Sequence, residues 1–550
     1  MIPIEIRNLN KTIEVDYGTT LLEIIEKEKV TLPYPILGAL VNSQVRWLNY
    51  KIHKPCRLDF FDITSSYGNA MYTRSLHFVL FKAIKILFPN AKLNILHSIS
   101  GGKYCEFENL NLPLDEKILL VIKNKIDEII ASNLPFIRTE IPYHKANELF
   151  RKQNLEKEKS IYTEMNKMYI TIYQLGDSTN YYYGSLLPST EYLKLYGLDL
   201  YEHGLLIKVP NRKRPETIPQ TRKMPKLFHV YQQFKEWGNR LGVSYIYNLN
   251  EKIDTGQIGD LILTTEALQE KVWANIADEI HRKNAKMILI SGPSSSGKTT
   301  SCKRLSVQLS VLEYDPVQIS VDDFFVEREE TPLDKNGNYD FESLEAIDLK
   351  LFNTVLEELL AGKEVEIPVF NFQIGKKEWK GKKIKMQENS VLVIEGIHCL
   401  NPKLTASIKE DTKYKIFVSA LTSLSVDSQN PIPTTDTRLI RRIIRDHNYR
   451  GYSALDTLRR WDSVRDGEEK NIFPYQENAD IMFNTSLIYE LSVLRPYAMP
   501  ILMQVPEYEP EYAEAIRLLH FLRFFKPISD EMIPGTSILR EFVGGSKFKY

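Results

Sequence analysis

One stretch of the chain has the residue types and spacing of a phosphate-binding loop. The pattern G-x4-G-K-[ST] is complete, and the apolar run 287–290 before it suits a buried parallel strand. Leucines at helical spacing follow, so strand, loop and helix come in the order that such a loop requires. We expect Lys298 to reach the β- and γ-phosphates of ATP and the Thr299 hydroxyl to bind Mg²⁺. The residues predicted to bind ATP are Gly292, Pro293, Ser294, Ser295, Ser296, Gly297, Lys298, Thr299 and Thr300.

Acidic residues end two apolar segments farther along the chain. Asp322 and Asp323 follow the segment 316–321, and Glu395 follows the segment 390–394. If both segments are parallel strands, these carboxylates face the phosphate crevice at the carboxyl edge of the sheet. One carboxylate can then accept the proton of an attacking hydroxyl, and another can hold Mg²⁺. The combination predicts phosphoryl transfer.

A basic segment follows at residues 436–446. Arg438, Arg441, Arg442 and Arg445 recur at the spacing of one helix face. One interpretation is a lid that closes over ATP, because a forked guanidinium suits a γ-phosphate. The other is a solvated face whose charges pair with nearby aspartates. The sequence leaves both open.

The elements that must position these groups belong to a chain of 550 residues, which is long enough for several domains. Lys+Arg and Asp+Glu both number 71, so no global charge indicates a nucleic-acid or membrane partner. The four cysteines lack CxxC spacing, which argues against a zinc finger or a disulfide framework. With no signal pattern and no apolar run of roughly 18 residues, we expect a cytoplasmic protein without membrane contact. A homo-oligomer is left open.

Residues 1–63 alternate like two strands, then show a helical segment and a second hairpin, which predicts a small β-grasp unit. This region resembles the TGS domain at the start of threonyl-tRNA synthetases. A docking role and a purely structural role are both compatible with it.

Residues 64–226 resemble the α+β editing domain of the same synthetases. The matching segments are 72–93 and 170–190. The family carries His-x3-His on the first segment, where this chain has Thr73 and His77. It carries a Cys and a third His on the second, where Tyr182 and Leu186 stand. The resemblance therefore implies an editing fold without editing activity, and His77 is interpreted as a packed or surface histidine.

The end of this region, residues 208–226, is rich in Lys and Arg and contains one acid, Glu216. It is either an RNA-contacting strip or an extended connector. Residues 227–285 then read as a helical connector, and residues 501–550 as a helical tail.

Residues 286–500 resemble the uridine kinase and phosphoribulokinase family. The resemblance rests on segments in family order at 294–299, 320–325, 339–348, 368–372, 393–397 and 438–445. It implies an α/β P-loop kinase domain with a parallel sheet that uses ATP and Mg²⁺ on a small nucleoside or sugar. By this resemblance Asp322 is the general base for a ribose 5′-hydroxyl and, with Thr299 and Glu395, surrounds Mg²⁺. Lys298, Arg438, Arg441 and Arg445 join Asp322 in catalysis, the arginines as lid residues.

The acceptor side departs from uridine kinases. Asp322, Glu342 and Phe370 occupy the substrate-binding positions, but Glu342 replaces an Asp, and Phe370 and Gly375 replace the Tyr and His that recognise the base. Loss of such hydrogen bonds weakens discrimination, so uridine specificity does not follow from the resemblance. The segment 458–475 looks more like phosphoribulokinase. The favoured hypothesis is a nucleoside kinase; the alternatives are a sugar kinase and a nucleotide-regulated RNA- or tRNA-binding protein.

Overall fold

We describe the protein from a computed structural model. The structure describes residues 1–153, 155, 160–162, 168–333, 337, 339–371 and 374–549. All four cysteines are free and buried. Within these ranges, no helix combines the length and the apolar character needed to cross a membrane.

The first region is a mixed sheet with one helix packed against it. Its elements are β1 (Ile2–Ile6), β2 (Lys11–Val15), α1 (Leu21–Glu28), β3 (Gly38–Val41), β4 (Gln44–Trp47) and β5 (Cys56–Phe61). The sheet order is β2-β1-β5-β3-β4, with β1 parallel to β5. A capping box between Thr20 and Glu23 starts α1, and Leu21 and Ile24 bury its inner face. This is the predicted β-grasp arrangement.

The second region combines two antiparallel sheets with helices. Its elements are α2 (Ser66–Leu87), β6 (Lys92–Ile99), β7 (Gly102–Glu108), α3 (Glu116–Ala131), β8 (Ile137–Pro142), α4 (Tyr143–Lys152), β9 (Tyr169–Leu175), β10 (Ser178–Asn180), β11 (Gly197–Tyr201) and β12 (Gly204–Lys208). The sheets have the orders β10-β9-β8 and β11-β12-β7-β6. Helix α2 is buried on most of its surface between Met71 and Ile84, where apolar residues predominate and Ser75, His77 and Lys82 are buried with them. These elements form the α+β region expected from the sequence.

Three helices connect this region to the parallel sheet: α5 (Pro225–Arg240), α6 (Ile246–Asp254) and α7 (Ile258–Lys283). The 26 residues of α7 carry Trp273, Ile276 and Ile280 into the core beside the first strand of that sheet. The helical connector predicted from the sequence thus also covers one face of the sheet.

A five-stranded sheet follows, and every neighbouring pair in it is parallel. It contains β13 (Met287–Ser291), β14 (Asp315–Ser320), β19 (Ser390–Glu395), β20 (Lys413–Ser419) and β23 (Ile481–Asn484), in the order β14-β19-β13-β20-β23. Helices α7 and α8 (Lys298–Val311) cover one face, and α9 (Leu349–Leu360) covers the other. Burial on both faces explains the nearly continuous apolar runs of these strands.

Short strands and the last helices complete the chain. The strands are β15 (Val365–Glu366), β16 (Val369–Asn371), β17 (Lys376–Glu378), β18 (Lys383–Ile384), β21 (Ser425–Asp427) and β22 (Asn430–Pro431). The helices are α10 (Thr434–Arg450), α11 (Ala454–Asn471), α12 (Glu490–Leu502), α13 (Tyr512–Leu522) and α14 (Arg540–Val543). A shared apolar core joins α10, α12 and α13 to α4 and α6, so the two halves of the chain are packed together.

Candidate active site

The phosphate-binding loop joins β13 to α8, as the sequence predicts. Its two glycines are sterically required. A Cβ on Gly292 would lie 2.1 Å from the carbonyl oxygen of Val418, and Gly297 has a φ of +83°. Gly297 is the residue that precedes the first turn of α8, where backbone N–H groups have no partner within the helix. The loop therefore places backbone amides and a positive helix end where an anion could bind.

Two acidic segments end beside this loop. The register pairs Ser320 of β14 with Glu395 of β19, and Ile290 of β13 also pairs with Glu395. The carboxyl ends of three neighbouring strands thus meet at one edge of the sheet. Thr299 donates a hydrogen bond from its hydroxyl to Glu395 Oε1 at 3.3 Å, and the Ser320 hydroxyl donates to the same oxygen at 3.4 Å. The groups predicted to surround Mg²⁺ are adjacent.

The electrostatics of this edge suit a cation. Burial, followed by the charge of Asp322, raises the pKa of Glu395 to about 7, although the nearby ammonium of Lys298 acts in the opposite direction. A carboxylate in this position is stabilised in its ionised form when a divalent ion binds. Within the described ranges, no group of three or more His, Cys, Asp or Glu side chains is arranged to hold a metal. Mg²⁺ requires less, since it is commonly held by one or two carboxylates together with substrate phosphates and water.

Asp322 lies on a one-turn 3₁₀ helix, Val321–Phe324, directly after β14. Burial raises the pKa of both Glu395 and Glu342, and the negative charge of Asp322 adds to both shifts. Asp323 accepts the backbone N–H of Phe370 at 3.3 Å, and burial raises its pKa. The action of Asp322 as general base stays a prediction.

The two other predicted substrate residues have different surroundings. Burial, followed by the charge of Glu468, raises the pKa of Glu342 to about 7. Glu342 lies against α11, where a Cβ on Gly467 would be 2.5 Å from the Glu342 Cβ. Phe370 is only 6% exposed, and its ring packs on Phe325 with centroids 5.6 Å apart. A contact between the Phe370 ring and a substrate stays a prediction. The burial of the ring does not support it.

The arginine face of α10 is neither a solvated face nor an open lid. Arg438 forms a bidentate ion pair with Glu468 at 2.5 and 2.7 Å, and Arg441 pairs with Glu490 at 2.6 Å. Both arginines are buried, and both donate to carbonyl oxygens of the phosphate loop, at Ser294 and Ser295 respectively. They brace the loop in this conformation. Their predicted direct action on phosphate would require them to leave their carboxylates.

Arg445 and its neighbours are arranged differently. Arg442, Arg445 and Arg450 all contact the buried carboxylate of Asp446, at 3.2, 2.8 and 3.6 Å. Arg442 also donates to the Ser294 hydroxyl at 2.7 Å. Burial lowers the pKa of Arg450 to about 10, and the negative charge of Asp322 acts in the opposite direction. Three guanidinium groups share one carboxylate here, so this end of α10 has positive charge available for a phosphate. Of the predicted lid arginines, Arg445 belongs to this group.

Three carboxylates at the site were not anticipated from the sequence: Glu468, Glu490 and Glu541. Glu468 and Glu490 pair with the α10 arginines, and Glu541 of α14 contacts Thr300. No local pattern marks them, because their partners lie 30, 49 and 241 positions away along the chain. The only sequence signal was the excess of arginines on α10, which requires acids somewhere in the fold.

In the editing-like region, three positions that correspond to site residues of the synthetases lie in the packed interior. His77, Tyr182 and Leu186 are all buried, and burial lowers the pKa of His77 to about 3. The Tyr182 hydroxyl donates to Gln429 at 3.3 Å, and Asn180 contacts the same Gln429. Gln429 belongs to the β21–β22 hairpin of the other half of the chain. Of the two interpretations of His77, packed or at the surface, its burial favours the packed one, and the hairpin occupies this face.

The basic strip 208–226 finds acidic partners within the protein. Lys208 is buried against Asp199 and Thr221, while Arg212 and Lys213 reach Asp462 and Asp466 of α11 at 3.0 and 2.6 Å. The strip therefore links the second region to α11, which favours the connector interpretation. An RNA contact stays a prediction, and Lys208, Arg212 and Lys213 already have acidic partners within the protein.

Comparison with known proteins identifies the two halves separately. Residues 287–488 match the family model "Phosphoribulokinase / Uridine kinase family". A threonine–tRNA ligase of Clostridium kluyveri is 30% identical over 191 residues, 34% of this chain and 30% of the ligase, and that of Thermotoga maritima is 32% identical over 187 residues, 34% of this chain and 28% of the ligase. The chain thus spans less than a third of the length of the ligases it matches.

Among solved structures, one described as a possible uridine kinase from Bacillus stearothermophilus aligns with a TM-score of 0.25 and 17% identity, covering 36% of this chain and 89% of that chain. By its family-model match, the segment 287–488 is similar to phosphoribulokinases and uridine kinases, and the N-terminal region is similar to threonine–tRNA ligases.

Proposed function

We propose that this protein is an ATP-dependent kinase that transfers the γ-phosphate to the 5′-hydroxyl of a nucleoside ribose. The observation that carries the proposal is the meeting of Lys298, Thr299, Asp322 and Glu395 at one edge of the parallel sheet. The family resemblance supplies the reaction class, and this cluster supplies the groups that such a transfer needs.

Each group has a defined task in this proposal. The loop amides and the Lys298 ammonium bind the phosphates and offset charge as the γ-phosphoryl group moves. Asp322 accepts the proton of the attacking hydroxyl, since it follows β14 directly at the carboxyl edge of the sheet. Thr299 and Glu395 hold Mg²⁺, which when bound neutralises charge on the β- and γ-phosphates. Glu342 receives the ribose hydroxyls.

One observation favours a second candidate, a kinase for a phosphorylated sugar. Arg442, Arg445 and Arg450 share the single carboxylate of Asp446 and therefore retain positive charge. Such a surplus suits the γ-phosphate of ATP, and it equally suits a phosphate on the acceptor. The two candidates differ in what the acceptor must carry.

A substrate panel separates them. The full chain is incubated with ATP, Mg²⁺ and each of the ribonucleosides, pentoses and pentose phosphates, and the products are identified by mass spectrometry and ³¹P NMR. Turnover of a nucleoside to its 5′-monophosphate supports the proposal, and turnover of a sugar phosphate alone supports the second candidate. Lys298→Ala serves as the inactive control. Absence of turnover with every acceptor, while ATP still binds, would refute both.

A further inference from the structure

The anion-binding groups of the phosphate loop are occupied by the chain's own carboxylates. Glu468 Oε1 accepts the backbone N–H of Ser294 at 2.9 Å. At the other end of the loop, Glu541 Oε2 accepts the Thr300 hydroxyl at 2.5 Å and the Thr300 N–H at 3.4 Å. Free N–H groups of this kind are the ones that a P-loop offers to nucleotide phosphates. The two carboxylates therefore stand where phosphate oxygens would compete with them.

Glu541 belongs to a C-terminal segment that lies directly over the loop. A Cβ on Gly297 would be 2.4 Å from Cδ1 of Ile538, so this side chain rests on the loop backbone. Phe542 is fully buried, its carbonyl accepts the Asn448 side chain of α10 at 3.0 Å, and the Arg441 guanidinium lies 5.2 Å from its ring centroid. The segment is seated on the same arginine helix that braces the loop.

Contacts within the segment and with the core hold it in place. Arg540 bonds Asp530 at 3.1 Å, and the Lys547 N–H donates to the Gly535 carbonyl at 2.8 Å. Leu539 and Phe542 are fully buried in the core that includes α10. Separation from the loop would break the contacts of Glu541 and Ile538 and would loosen this packing and the backbone hydrogen bonds of the segment.

We propose that residues 530–549 form an intrasteric cap: Glu541 occupies one end of the phosphate loop and Glu468 the other, and nucleotide binding displaces Glu541 and lifts the segment from Gly297. This inference rests on the proposed function in one respect, namely that a nucleotide binds this loop. It adds a self-inhibited state whose anion is a carboxylate, replaced by phosphate when the site fills.

Hydrogen exchange on the full chain tests the cap directly. With saturating Mg²⁺ and ADP or a non-hydrolysable ATP analogue, peptides covering residues 537–543 are expected to exchange at least roughly tenfold faster, because their contacts with the loop are lost. Unchanged or slower exchange on nucleotide binding would overturn the cap and leave the proposed function standing.

Calorimetric nucleotide affinities give the second readout. Glu541→Gln removes the negative charge that competes with phosphate while keeping the side-chain size, so ADP and ATP should bind about five- to tenfold more tightly. Matched controls are Glu531→Gln, an exposed acid of the same segment, and Glu469→Gln, an exposed acid of α11; neither should change affinity.

The outcomes separate the two hypotheses. Tighter binding by Glu541→Gln supports the cap, including the case in which only this variant binds detectably. Equal binding by wild type, variant and controls refutes the cap alone. Failure of wild type and every variant to bind any nucleotide refutes the proposed function, and the cap with it.

Discussion

The buried ion pair between Arg441 and Glu490 makes a quantitative prediction that distinguishes bracing from lid action. Arg441 is fully buried, Glu490 is 2% exposed, and their contacts measure 3.2 Å (Nε to Oε1) and 2.6 Å (Nη2 to Oε2). Glu490→Gln leaves the guanidinium buried without a counter-charge. Breaking a buried pair in this way costs about 3–5 kcal/mol. For a cooperative unit of roughly 200 residues this lowers the Tm by about 10 °C.

Thermal unfolding of the nucleotide-free protein, followed by circular dichroism at a fixed scan rate, measures this shift. Glu531→Gln is the surface control, and its Tm should stay within about 1–2 °C of wild type. The double variant Arg441→Met, Glu490→Leu should regain part of the loss, because an apolar pair of similar volume removes the unpaired charge. If Glu490→Gln instead shifts the Tm no more than the control, Arg441 does not depend on Glu490 and the bracing argument is refuted.

Three further predictions concern the metal side, the base and the contact between the halves. Because the folded pKa of Glu395 is raised to about 7 from its ordinary value of 4.5, its protonated form is favoured by folding: this contribution is present below pH 4.5 and is lost as the pH rises to about 7. Stabilisation by Mg²⁺ and ATP should therefore grow between about pH 6 and about pH 8. Thermal-shift titrations measure this rise, and Glu395→Gln should flatten it. Asp322→Asn should lower kcat by roughly 10²–10⁴ with the affinity for ATP nearly unchanged, whereas Asp323→Asn should mainly lower the Tm. Gln429→Ala should lower the free energy of unfolding by about 1–3 kcal/mol and thus lower the Tm, because Asn180 and Tyr182 of the editing-like region lose their buried hydrogen-bond partner. Gln504→Ala, at an exposed position, is the control.

Each of these has a contrary result. A pH-independent nucleotide stabilisation in wild type would remove Glu395 from the metal site. Equal kcat losses in both aspartate variants would remove the distinction between them. A Gln429→Ala variant as stable as its control would mean that the hairpin contact does not couple the halves.

Local sequence patterns were sufficient for the core of the site. The phosphate loop, its flanking strand and helix, and the acids Asp322 and Glu395 at strand ends could all be predicted, because each depends on spacing within a few residues or on the geometry shared by parallel strands. The β-grasp region followed from periodicity, whereas the α+β region was expected from its resemblance to the editing domain. On the acceptor side, a substrate contact of Phe370 stays a prediction, and its ring lies in the core.

What the arginines of α10 do could not be predicted from spacing. Their helical periodicity shows that they share one face, but not what that face meets. Glu468, Glu490 and Glu541 arrive from distant parts of the chain, and the burial of these charges is tolerable only because the fold pairs them or places them on loop amides. The amino-acid sequence thus specified a loop of the phosphate-binding type. Long-range packing specified that two carboxylates of the same chain, Glu468 and Glu541, accept hydrogen bonds from its two ends.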